Sequence, residues 1–405
     1  MTPYRLVLFH PMDPRGRKLG GIETHIRLLL AAHPHDFSVL FVGVDEIGDL
    51  RAGNLTQIEF EARKVDFLPV LRAEEDGINA AATTLGGSLT LRFAASAVRR
   101  LGAVRRAIGR ARCSAEIERY EFALLPKVLR LPSVQWVHNE GSKDDKMDSL
   151  LKRYWFVHSA SERVALALAD RIVAVNPNIA AHVAHVSARA AAKTEVMSVS
   201  VDTRRFQPTP FDVQDGIFRI CFAGRLDEFK DPPLMFDVLS RLRTKLDGKL
   251  EFHYVGATDP ARYAEFAKAQ EFTIRHGAQN PDGVRDIMAT SDAGILTSYF
   301  EGLPCYLLEM LASGRPVGAI ALPQYEPLIV PGISGGLVPR TEPRETCAEA
   351  LANAFVAIRQ DILNGRVDPV RLRALVEPYS VETQFGRLFA IHRALQDGRA
   401  VSPTR

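Results

Sequence analysis

Residues 218–246 read FRICFAGRLDEFKDPPLMFDVLSRLRTKL, and the order of residue types in this stretch decides the fold. Residues 218–222 are rich in aromatic and branched side chains, which suits a buried strand. Gly224 ends the run, and a charged loop follows. Asp231 and Pro232 then stand where a helix takes its cap and its first residue. From 234 to 246 apolar residues recur three and four positions apart, the period of a helix with one buried face. Strand, loop and helix in immediate succession form the repeating unit of a parallel sheet covered by helices.

Residues 293–316, AGILTSYFEGLPCYLLEMLASGRP, repeat the pattern. A strand at 293–296 leads through a loop to a helix at 303–313, with Pro304 in its first turn and Gly314 at its end. Working outward, strands fit 5–9, 38–42, 134–137, 171–175 and 195–199, then 251–255 and 272–275. Helices fit 22–32, 161–169, 179–186, 262–269, 284–290 and 383–395. The expected fold class is α/β, with two doubly wound Rossmann-like domains of parallel strands. The first spans 1–200 and the second 201–379, parted by a stiff, polar connector at Gln207-Pro208-Thr209-Pro210. Doubly wound sheets bind ligands at the carboxyl ends of their strands, which predicts a site in the cleft between the domains.

Composition narrows the function. The chain has 405 residues, 46% hydrophobic and 24% charged, an ordinary globular profile. Lys and Arg number 51 against 48 Asp and Glu, and a net charge of +3 is too small for a general polyanion binder. Cys113, Cys221, Cys305 and Cys347 lie far apart, which argues against a disulfide framework or a zinc finger. Reduced thiols in cytosol are the simple expectation. The apolar run at 6–9 is too short for a signal-peptide core, and no run approaches the ~18 residues of a membrane span. A cytoplasmic protein is expected.

Four groups of residues could carry chemistry. Arg225 and Lys230, five apart at the carboxyl end of a strand, could hold two phosphates; as plain surface charges they would pair with Asp227 or Glu228. Glu301 precedes the helix at 303–313 and Glu309 lies inside it, while Gly302 and Leu303 leave backbone amides open to an anion at the helix start. Their plain alternatives are a charge favoured by the helix dipole and a solvated helix face. Gly20-Gly21, between the first strand and the first helix, lets a ligand approach the backbone, or makes only a turn. It is not the G-x-G-x-x-G of a dinucleotide site. His138, just past the strand at 134–137, is either a strand-end hydrogen-bonding group or an active-site residue.

In this order the features resemble the retaining glycosyltransferases of family 4, which have the GT-B fold. The stretches that carry the resemblance are GGIETHIRLLL, ADRIVAVNPNI, VDTRRFQP, FAGRLDEFKD and SYFEGLPCYLLEMLASGRPV. They span nearly the whole chain, and the spacings G-R-x4-K and E-x7-E are specific. The resemblance implies a hexosyltransferase that moves a sugar from a nucleotide diphosphate sugar with retention and without a metal. Arg225 and Lys230 would grip the diphosphate. Glu301, beside the amides of Gly302 and Leu303, would bind hydroxyls of the donor sugar, and Glu309 would bind the ribose. Gly20 and Gly21 would face phosphate and sugar, His138 would contact the sugar, and the last helix, about 380–405, would pack back on the first domain. Two stretches depart from the family: Ser198-Val199-Ser200 replaces the usual Pro-Asn-Gly of the hinge strand, and Thr297-Ser298 the usual Pro-Ser. The alternatives are an epimerase or phosphorylase on the same fold, or a non-catalytic protein that binds sugar nucleotides.

One further stretch asks for a partner. Arg92, Arg99, Arg100, Arg105, Arg106, Arg110 and Arg112 fall in a segment without acidic residues. Val98, Leu101, Val104 and Ile108 recur there at helical spacing. A basic amphipathic helix of this kind binds anionic membrane surfaces, which would bring the enzyme to a lipid-linked or cell-surface saccharide. A core helix with a solvated basic face is the alternative. No nucleic-acid motif accompanies it.

Overall fold

The computed structural model describes residues 4–16, 18, 20–73, 87–138 and 155–398. The chain divides into two compact units, Met1–Val199 with Val381–Arg405, and Ser200–Ser380.

In the first unit the strands are β1 (Tyr4–Phe9), β2 (Phe37–Asp45), β3 (Thr56–Phe60), β4 (Arg63–Arg72), β5 (Cys113–Ile117), β6 (Ser133–Val137), β7 (Arg171–Ala174) and β8 (Thr194–Val196). The helices are α1 (Gly21–Ala32), α2 (Leu89–Arg99), α3 (Leu101–Ile108), α4 (Leu124–Leu129), α5 (Trp155–Leu168), α6 (Pro177–Val186) and α7 (Ala188–Ala191). The sheet order is β3-β4-β2-β1-β5-β6-β7-β8. Leu6, Val7, Leu8 and Phe9 are buried, as a central parallel strand covered on both faces requires.

The second unit holds β9 (Phe218–Ala223), β10 (Leu250–Val255), β11 (Thr273–Gly277), β12 (Ala293–Leu296), β13 (Val317–Ile320) and β14 (Gly335–Val338). Their order is β11-β10-β9-β12-β13-β14, and every pairing is parallel. Its helices are α8 (Pro232–Lys245), α9 (Pro281–Thr290), α10 (Cys305–Ala312), α11 (Arg344–Leu363) and α12 (Pro369–Leu375). The chain then returns to the first unit as α13 (Val381–Gln396). There Gln396 bonds both backbone groups of Arg5, and Arg393 pairs with Asp36 at 2.8 Å.

Strand order reverses between β1 and β5 in one sheet and between β9 and β12 in the other. These are the switch points where doubly wound sheets open a crevice.

Several expectations need correction. β3 and β4 form an antiparallel hairpin at the edge of the first sheet, turned through Glu61 and Ala62 at φ 46° and 62°. A helix at 262–269 does not form. Short 3-10 turns, Pro260–Arg262 and Ala264–Lys268, are interrupted by Tyr263 in extended conformation. Pro304 is the cap of α10 rather than a residue of its first turn. The basic segment is two helices, broken at Arg100. Its apolar positions do not share an outward stripe: Val104 and Ile108 join Phe93, Ala97, Phe122 and Leu40 in the core, and Val98 alone points outward, 55% exposed. The partly covered Arg100 aside, the arginines of the segment are exposed. The connector is likewise part of a packed unit, because the buried Arg315 guanidinium donates to the carbonyls of Thr209 and Pro210 at 2.9 and 3.2 Å and lies over the Phe211 ring.

Candidate functional site

In the second unit two loops leave the switch point side by side. The first follows β9. Gly224 has φ 151°, and its carbonyl oxygen would lie 2.4 Å from a Cβ on Gly256, so these backbones touch. Arg225 comes next, its side chain 45% exposed and paired with Asp227 at 3.0 Å. A 3-10 turn, Glu228–Lys230, delivers Lys230, and Asp231 at φ 50° caps α8 through Leu234 N–H. Arg340 holds the other Asp231 oxygen at 2.7 Å.

The second loop follows β12. Thr297 Oγ1 donates to Lys230 O at 2.6 Å, Tyr299 N–H to Phe229 O at 2.8 Å, and the rings of Phe229 and Phe300 stack at 5.2 Å. These ties hold Lys230 Nζ 2.8 Å from Glu301 Oε1. Both side chains are mostly covered, 16% and 13% exposed, and Ser298 Oγ donates to the same Glu301 oxygen at 3.0 Å. Gln324 fixes the Glu301 carbonyl at 2.5 Å. Lys230 Nζ also lies 5.2 Å from the centroid of the Phe229 ring. The lysine and the glutamate, 71 residues apart, thus form one ionic pair at the mouth of the switch point. An arriving anion can draw Lys230 away and leave Glu301 free to accept from hydroxyls.

Gly302 and Leu303 lead into α10, whose first amides follow Pro304. Glu309 lies one turn into that helix. Protein crowds its carboxyl, although some surface remains accessible. Burial pushes it up to about 7, and the positive charge of Arg205 offsets only part of that. It is therefore not the solvated surface charge of the plain reading. Tyr306, on the same helix, accepts from Ile295 N–H at 3.1 Å and donates to Cys221 O, which locks α10 to both strands of the switch point.

The first unit shows a different chemistry at its own switch point. Gly20 caps α1, and a Cβ there would lie 2.1 Å from Glu23 Oε2. Glu23 pairs with His10 at 3.1 Å and with Lys18 at 3.4 Å. This end of α1 thus already carries a carboxylate. Gly21 is exposed, and a Cβ on it would meet nothing. His138 directly follows β6, its side chain 13% exposed, with Nε2 2.6 Å from Glu118 Oε2. Trp136 stacks along it, and Trp136 Nε1 donates to Glu116 at 2.5 Å. The residues missed in the sequence are the ones that hold others: Ser298, Gln324, Arg340, Glu116 and Glu118. A signal for the last two existed, since Glu116 and Glu118 alternate within a buried strand and just past its end. The side chains of His25, Glu116 and Glu118 bring potential ligand atoms within 4.8 Å of one another, but Glu116 already accepts from Trp136 and pairs with His392.

Comparison with known proteins adds three findings. Residues 217–361 match the family model described as glycosyl transferases group 1. A curated relative, the D-inositol 3-phosphate glycosyltransferase of Geodermatophilus obscurus, is 26% identical over 224 residues, 50% of this chain. The match spans about half of that relative, 49% of its length. Among solved structures, the sucrose-phosphate synthase of Thermosynechococcus elongatus superposes with a TM-score of 0.74 at 17% identity, over 96% of this chain and 98% of its own. HepE of Anabaena, solved with UDP-glucose, gives 0.67 at 15% identity over 96% and 98%. The fold is the GT-B fold, two sheets of mostly parallel strands flanked by helices, and the match to glycosyl transferases group 1 falls within the second unit.

Proposed function

We propose that the protein is a retaining hexosyltransferase of family 4, which moves a sugar from a nucleotide diphosphate sugar to a lipid-linked or cell-surface saccharide. The observation that carries this reading is the Lys230–Glu301 pair at 2.8 Å, with Arg225 on the same loop. Departure of a nucleoside diphosphate builds negative charge on phosphate, and fixed cations and oriented amides stabilise it. Arg225, Lys230 and the amides around Gly302 and Leu303 supply both. Glu301 accepts hydrogen bonds from the donor sugar, Glu309 accepts them from the ribose, Gly20 and Gly21 lie along phosphate and sugar, and His138 hydrogen-bonds a sugar oxygen. HepE, solved with UDP-glucose, supports the donor class.

The reaction needs no metal. The sequence has no Asp-x-Asp pair, and the cations can take that role. Double displacement requires a carboxylate nucleophile. Glu301 bonds Lys230 and Ser298 and would bond donor hydroxyls once an anion draws Lys230 away; that binding role favours substitution on one face, with the leaving phosphate taking the acceptor's proton. The acceptor class rests on the exposed arginines of α2 and α3 and on exposed Leu91, Val98, Leu124 and Val128. No described helix is long and apolar enough to cross a membrane.

The test is thermal stabilisation by UDP-, GDP- and ADP-sugars, followed by transfer with and without EDTA. A donor at a hundred times its dissociation constant adds about 2.7 kcal/mol. One sugar nucleotide is expected to stabilise the protein, and transfer is expected to survive chelation. Stabilisation by none of them refutes the donor site; activity abolished by EDTA and restored by magnesium or manganese refutes the metal-free clamp.

A further inference from the structure

Behind His138 lies a buried pair of carboxylates that the proposed reaction does not use. Glu116, on β5, and Glu118, just past its end, are both fully buried. Their surroundings differ. Glu116 accepts from Trp136 Nε1 and is paired with His392 Nε2, whose other ring nitrogen meets Ser114 Oγ at 2.8 Å. Glu118 has one close partner, His138 Nε2 at 2.6 Å. Its Oε1 has no hydrogen bond and faces His25 Nε2 at 3.7 Å, and neither ring nitrogen of His25 has one either. No lysine or arginine among the described residues pairs with Glu118, and the charged groups that act on it, Glu116 and Glu23, are negative.

An ionised carboxylate in that position would be buried on a single hydrogen bond between two like charges, an expensive arrangement. A proton on Glu118 removes the charge and supplies a donor to His138. A neutral imidazole carries one N–H, so a ring that accepts at Nε2 must bear its proton on Nδ1. We infer that Glu118 is a positioning residue that holds its own proton towards His138 Nε2, so that His138 presents Nδ1–H and acts as a hydrogen-bond donor to a sugar oxygen rather than as a base. Burial and the neighbouring carboxylates push Glu118 well up, and burial pushes His138 down to about 4, both in keeping with a neutral pair. The inference rests on the proposed transferase reading for the identity of the sugar. It deepens that reading, because a reaction whose leaving phosphate takes the acceptor's proton has no use for a base at this position.

The tautomer is tested without any substrate. In the full-length protein labelled with 15N, the His138 ring signals, assigned by their loss in His138→Gln, are expected to show Nδ1 protonated and Nε2 bare at neutral pH. Nε2 protonated with Nδ1 bare overturns the inference. In transfer assays Glu118→Ala is expected to lower turnover about tenfold, the worth of one positioned hydrogen bond. Glu118→Gln, whose amide donates as the protonated acid does, is expected to recover most of that loss without changing donor KM. A Glu118→Gln variant that melts like the wild type yet is as slow as Glu118→Ala overturns it, since the charge of Glu118 is then needed. If no sugar nucleotide stabilises the wild type, the transferase reading fails, while the ring signals still decide the tautomer.

Discussion

At Glu309, burial acts on a group whose proposed ribose role is best served by its ionised form. A carboxylate accepts from ribose hydroxyls more strongly than a carboxylic acid. This one is pushed up to about 7 in the folded protein, so it is protonated below that pH and charged above it. Donor affinity is therefore expected to rise from about pH 6 to about pH 8. Glu309→Gln is expected to bind weakly at both ends of the range, with the slope gone; calorimetric titration with a stabilising sugar nucleotide checks this, and an unchanged slope in the variant would refute the ribose role. Lys230 already has its partner, Glu301, in place at 2.8 Å. Lys230→Ala and Arg225→Ala are expected to weaken donor binding and to slow turnover about a hundredfold, the scale of losing one stabilising donor in a transition state. Glu301→Ala is expected to slow turnover while nucleoside diphosphate alone still binds. Near-normal rates in all three would remove the site assignment. These residue types and spacings could be read in the sequence. Their pairing could not, since Lys230 and Glu301 stand 71 positions apart and only folding shows that they meet. Glu118 showed as an acid just past an apolar strand, but its meaning did not, because that lies in its partner, His138, 20 residues away.

Elements were legible in proportion to how far local chemistry alone determined them. β1, β9 and β12 are buried along most of their length and read as mainly apolar runs, and β6 shows through Val134, Trp136 and Val137. β5 escaped because Ser114 and Glu116 interrupt it, and β13 and β14 because Val317–Ile320 and Gly335–Val338 carry glycines that tertiary packing demands. A Cβ on Gly318 would lie 2.4 Å from the Phe355 ring, and one on Gly335 1.9 Å from Val317 O. The break at Arg100 was hidden because a helical period persists across it while the chain turns. α10 packs seven buried residues, and one hydroxyl adds its hydrogen-bonded tie to both strands of the switch point. Tyr306→Phe strands a buried N–H on Ile295 and a carbonyl on Cys221, a cost of about 1–3 kcal/mol. In a unit of this size each kcal/mol lowers Tm by about 2–4 °C. Tyr325→Phe is the control, because that buried hydroxyl has no hydrogen-bond partner and its removal is expected to cost nothing. Calorimetric melting of both variants decides, and equal Tm values would mean that the Tyr306 bonds do not hold the helix.

Over the whole molecule the charge is nearly balanced at +3, so the run of arginines through α2 and α3 is a local feature. Arg92, Arg99, Arg106 and Arg110 are exposed. The interior takes Val104 and Ile108, which removes them from any contact with lipid. What remains outside is Leu91 and Val98 on α2 and Leu124 and Val128 on α4. Arg105 bonds the Val128 carbonyl at 3.2 Å, tying α3 to α4, and Phe93 on α2 packs against Phe122 at 5.0 Å just before α4. Cations with interspersed apolar side chains fit an anionic leaflet, where each arginine contributes about 1 kcal/mol and the attraction fades within about 10 Å in 0.1 M salt. The expected outcome is reversible flotation with phosphatidylglycerol vesicles at low salt, lost at high salt, and no flotation with neutral phosphatidylcholine. Changing Arg92, Arg99, Arg106 and Arg110 to Gln removes the charge without disturbing the bonds of Arg105 and Arg112, and is expected to abolish flotation at an unchanged Tm. Val98→Ser is expected to weaken it while preserving its salt dependence. A wild type that ignores anionic vesicles at low salt, or a quadruple variant that binds them equally well, leaves these helices as a solvated basic face and removes the argument for the proposed lipid-linked acceptor.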